Sequence, residues 1–107
     1  VVRLPKKYNA SGDRFKICKR STGYSSYVCG DIQEITVDTG AKGDFKQICH
    51  LLHEMTEATF DCRGMKFRNW DQEDVFIMSH REFNSAMDEV ARGVYDLLVA
   101  NGVKLST

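Results

Sequence analysis

Between Arg14 and Arg20 apolar and polar positions alternate, with Phe15 and Ile17 on one side and Arg14, Lys16, Cys18 and Arg20 on the other. A period of two predicts a half-buried strand. Ser21-Thr22-Gly23 supplies a turn, and Tyr24 to Cys29 reads as the returning strand of a hairpin. Symmetric pairing about that loop sets Cys18 opposite Cys29, in reach of a cross-strand bridge. Ile35 and Val37 mark a further strand, closed by Asp38-Thr39-Gly40. Asp44 with Gln47 three residues on predicts a helix start, and Phe45, Ile48, Leu52, Met55 and Thr59 form its apolar stripe, with Cys49 turned inward beside it. Phe60 to Phe67 reads as a strand, Asn69 to Glu73 as a polar connection, and Val75 to Met78 as a short inner strand. Ser79 and Glu82 make a capping box for the longest helix, lined by Phe83, Met87, Val90, Val94 and Leu97 and stopped at Asn101-Gly102. Val103 to Leu105 adds a final edge strand.

This order predicts an α+β fold: a two-layer sandwich in which two helices pack on one face of an antiparallel sheet. Residues 1 to 13 are polar, hold the one proline, and read as an N-terminal arm; residues 14 to 107 read as a single domain. No apolar run reaches the roughly 18 to 20 residues of a membrane-spanning helix.

The 107 residues carry 15 Lys plus Arg and 15 Asp plus Glu, but unevenly. Arg3, Lys6, Lys7, Arg14, Lys16, Lys19 and Arg20 face Asp13 alone in the first 20, so the body is acidic. A basic end can meet phosphates, yet without interleaved stacking aromatics nucleic acid is the less favoured partner.

Cys18, Cys29, Cys49 and Cys62 lack the paired spacings of a zinc ribbon, so a disulfide framework is expected and no metal. The Val1 start and the Asn9-Ala10-Ser11 acceptor pattern point the same way, toward a secreted protein, with a cytoplasmic one carrying four thiols as the alternative. Bridges would add about 2 to 4 kcal/mol each to so small a domain.

On the polar side of the first helix, His50, His53, Glu54 and Glu57 share a face. The histidines are three apart with Glu54 after the second, unlike the zinc-hydrolase helix, so a solvated face is expected, with acid–base work as the alternative. Gly40-Ala41-Lys42-Gly43 lacks the lysine and hydroxyl that complete a nucleotide loop, and no serine sits in a nucleophile elbow. No catalytic residue and no cofactor is assigned.

Lys66, Arg68 and Trp70 interleave charge and aromatic surface, as interfaces do, and Tyr24 and Tyr27 at the hairpin tip form a second recognition surface. Cys29-Gly30-Asp31, then Cys49 in an amphipathic helix, then Phe60-Asp61-Cys62, resembles the layout of small secreted fungal effectors and killer-toxin-like proteins. The resemblance covers residues 24 to 105 in outline, and the usual cysteine near the carboxyl end is missing. It implies a virulence effector or toxin-like factor that binds a host or competitor protein. The alternatives are a phage-type or intracellular regulator docking through its basic strand, and a small hydrolase using His50 or His53 with Glu54.

Overall fold

The computed structural model describes residues 1–40 and 43–105. Its elements are β1 (Lys7–Ala10), β2 (Asp13–Arg20), β3 (Ser26–Val28), β4 (Glu34–Asp38), α1 (Asp44–Cys62), β5 (Lys66–Arg68), β6 (Asp74–Phe76) and α2 (His80–Ala100). The fold is α+β. A four-stranded sheet runs β1-β2-β4-β3, β5 and β6 form a separate ribbon, and the helices pack on the larger sheet and on each other. The larger sheet is mixed rather than antiparallel, because β2 and β4 run parallel while the outer pairs are antiparallel.

Two departures from the expected pattern share one cause. β4 is the most buried strand, with Ile35 and Val37 fully withdrawn from solvent, so it takes the centre and displaces β3 to the edge. Cys18 then lies in register with Thr36 instead of facing Cys29, and the cross-strand bridge is lost. The supposed arm supplies the other edge. Ser11 and Gly12, at φ 52 and 89, make a tight hairpin turn that returns Lys7–Ala10 along β2. Tyr8 and Ala10 point inward from it, and Val2 is buried as well.

The core lies between this sheet and α1. Phe15, Ile17, Ile35 and Val37 meet Leu51, Met55 and Ala58, which recur at helical spacing. The buried stripe of α1 is rotated from the expected one: Phe45 is 76% exposed and Cys49 is exposed, not inward. α1 also continues to Cys62, so residues 60 to 62 are its last turn and not a strand. Gly43 is its N-cap without a side-chain bond, and Asp44 instead accepts from the Val2 amide at 2.9 Å.

α2 begins at the predicted capping box, with the Glu82 amide donating to Ser79 Oγ and the Ser79 amide donating to Glu82 Oε1. Its buried positions are Ala86, Val90, Gly93 and Leu97. Gly93 lets α1 and β1 come close, since a Cβ there would sit 2.8 Å from both Met55 Sδ and Tyr8 Cε1. Val75 to Met78 is not an inner strand: β6 pairs only with β5, and Ile77 is 64% exposed. An edge-to-face contact of Phe76 with Phe60, at 5.3 Å, anchors the ribbon to α1. Residues 103 to 105 form no strand, and Ala41 and Lys42 of the glycine-bounded loop lie outside the described residues.

Candidate functional site

The sheet order places β3 beside the outer flank of α1, and a polar groove runs between them. One part, of about 530 Å³, is lined by Ser25 to Cys29 together with Glu54, Glu57, Asp61 and Lys66. An adjoining part, of about 440 Å³, is lined by Tyr24, Ser25, Cys49, His50, His53 and Glu54. Ser25 and Glu54 belong to both. The helix face read from sequence as solvated is thus the wall of a cleft.

Glu54 is only 6% exposed, and burial pushes its carboxyl above the ordinary range. Neighbouring Glu57 adds to the rise, while His53 and Lys66 oppose it. One turn on, His53 Nε2 meets Glu57 Oε1 at 3.3 Å. Counted from His53 instead of His50, the run His53-Glu54-Met55-Thr56-Glu57 sets an imidazole and a carboxylate four apart with a glutamate after the first. That is the spacing of a zinc-hydrolase helix with carboxylate in place of the second imidazole. Among the described residues, however, no third ligand atom joins this pair within reach of one ion.

His50 is held differently. Its Nδ1 lies 2.7 Å from Ser25 Oγ, and that hydroxyl also accepts the Asp38 amide at 2.9 Å. Asp38 in turn pins the loop before β3: its Oδ1 accepts from the amides of Thr22, Gly23 and Gly40. These amides, Gly40 foremost, hold its carboxyl below the ordinary range. Sequence spacing could not reveal the Ser25–His50 contact, because it joins residues 25 positions apart across two elements.

At the other end of the groove Lys66 donates to Tyr27 Oη at 2.6 Å and lies 3.7 Å from both Glu57 and Asp74. Tyr27 Oη donates to Asp61 Oδ2 at 3.0 Å, and burial pushes its phenol up to about 12. Lys66 and Tyr27, expected on recognition surfaces, are therefore wall residues of the groove. Tyr24 stays 67% exposed at its rim. Trp70 is 99% exposed at the tip of the ribbon, where the Asn69 side chain accepts the amides of Asp71 and Glu73 and fixes the loop. Arg68 lies behind it and reaches Asp74 at 3.7 Å.

All four cysteines are free thiols: Cys18 and Cys62 half-buried, Cys29 and Cys49 exposed. No two of them stand at disulfide distance; Cys29 and Cys62 approach each other, with their sulfurs 4.0 Å apart. Of the basic residues, Lys7, Arg14 and Lys16 come to the solvent face of β1 and β2, while Arg20 is paired with Glu34. Among the described residues no helix is long and apolar enough to cross a membrane.

No family model, curated protein or solved structure matches the chain. None of these comparisons bears on the likeness to effector and killer-toxin-like proteins.

Proposed function

We propose that the groove between β3 and α1 is a hydrolytic site that works by acid–base chemistry, with Glu54 as the proton-transferring group. The observation that carries this reading is Glu54 itself. A carboxyl almost withdrawn from water, without a salt bridge to any described residue, opens onto a cleft and keeps its proton to higher pH than an ordinary one. Acid–base catalysts near neutrality are tuned in this way. His53, oriented by Glu57, is the complementary base. Glu57 and Asp61 against Lys66 leave the groove acidic even with Glu54 protonated, which suits a neutral or cationic substrate such as a peptide and repels a phosphodiester.

The test is turnover of an internally quenched peptide library. Wild-type protein should cleave it, and Glu54→Gln should cost about 10²- to 10⁴-fold, the usual worth of one acid–base group. Turnover that is untouched by Glu54→Gln and by His50→Ala with His53→Ala refutes the reading.

A second reading rests on Trp70. A tryptophan 99% exposed on a braced ribbon, with Phe67 at 49% and Ile77 at 64%, has the makings of a protein-binding anchor. We propose it as the contact through which the domain meets a protein partner. Tyr24 is open to such a partner, and Arg68, though 3.7 Å from Asp74, keeps 63% of its side chain exposed, whereas Lys66 and Tyr27 are held in the groove wall.

A further inference from the structure

Where the groove ends at Cys29, three groups from three elements converge. Asp13 opens β2 just after the Ser11-Gly12 turn, Cys29 follows the last residue of β3, and Cys62 is the last residue of α1. One carboxylate oxygen and the two sulfurs all lie within 4.8 Å of one another, and the sulfurs are 4.0 Å apart. A tetrahedral zinc ion with Zn–S bonds of about 2.3 Å spaces two sulfurs by roughly 3.8 Å, so these thiols already stand at a metal's edge length. A disulfide would need them about 2 Å closer. Two thiols and a carboxylate repel one another when ionised, and a divalent cation turns that repulsion into attraction. The sulfur content selects a thiophilic ion over magnesium or calcium.

We propose that Asp13, Cys29 and Cys62 form a binding site for a thiophilic divalent cation of the zinc class, with a fourth position open toward solvent. The site is separate from Glu54 and His53 and stands or falls independently of the hydrolytic reading. Its fastening of β2, β3 and α1 would also stabilise the fold by mass action.

The experiment adds Co²⁺ to the reduced full chain without air and follows absorption. The expected result is one equivalent of cobalt with thiolate-to-metal charge-transfer bands and tetrahedral d–d bands, displaced by Zn²⁺. Cys29→Ser and Cys62→Ser should each remove the charge-transfer bands, and Asp13→Asn should weaken binding. Cys18→Ser and Cys49→Ser should leave it unchanged. Circular dichroism on each variant separates loss of the site from loss of the fold. Cys29 is exposed, so its serine variant should keep the fold, and the comparison stays decisive. No cobalt uptake, uptake that persists in Cys29→Ser, or a Cys29–Cys62 disulfide in protein isolated without reductant would overturn the proposal.

Discussion

Gly93→Ala tests the packing that holds α1 in place, and its outcome has a sign that can be worked out. The new methyl would lie 2.8 Å from Met55 Sδ, 2.8 Å from Tyr8 Cε1 and 3.0 Å from Tyr8 Cδ1. Ordinary carbon contacts begin near 3.5 to 4.0 Å, so the overlap is real on two sides. Tyr8 is 3% exposed, and its hydroxyl is fixed 2.5 Å from Thr59 Oγ1, so the ring has no retreat. Met55 is fully buried but has a pliable side chain. Overpacking of this kind costs about 1 to 3 kcal/mol. Replacing glycine by alanine inside a helix returns about 1 kcal/mol. The net expectation is a loss of about 1 kcal/mol, read in thermal denaturation as a Tm lower by roughly 4 to 8 °C for a domain of this size. A variant with a raised Tm would show that helix propensity acts unopposed, and would refute the close approach of α2 to β1 and α1.

Three further outcomes follow from the structure. Trp70→Ala should leave stability within about 0.5 kcal/mol, because the side chain is 99% exposed, while weakening partner binding; a large drop in Tm would mean that the ribbon tip is packed. Asp38 has a depressed folded pKa, so its stabilising effect is complete above its unfolded pKa and fades as pH falls through the folded one; the Asp38→Asn variant should show a shallower loss of stability on acidification than wild type. Glu54 has the opposite sign. Its raised folded pKa makes the protonated form the favoured one, so wild type loses stability as pH rises through that value, and Glu54→Gln should have a higher Tm than wild type at neutral pH.

The elements that were legible in the sequence are those with strong local signals. The Ser79–Glu82 box and Gly102 bound α2, and the alternation of Phe15 and Ile17 marks β2. β1 was missed because four residues with one aromatic and one alanine give too short a period, and its turn, Ser11-Gly12, reads equally well as the end of an arm. The pairing of β3 with β4 was missed because sequence proximity favours a hairpin with β2, whereas burial of Ile35 and Val37 decides which strand is central. Within the groove, His50, His53 and Glu54 were marked by shared helical spacing. What spacing could not supply is the opposite wall: Ser25, Tyr27 and Lys66 reach the helix only through the strand order. The His53–Glu57 pair was present in the letters, but counting from the first histidine hid it.

Hydrolysis in the groove requires that the carboxyl of Glu54, sunk in the cleft, move protons. The most direct measurement is the pH dependence of peptide cleavage by wild type and by Glu54→Gln, made alongside their melting curves. Cleavage should depend on an ionisation above the ordinary carboxylate range, and the variant should be more stable yet nearly inactive. A variant that cleaves as fast as wild type with an unchanged pH profile would contradict that role of Glu54.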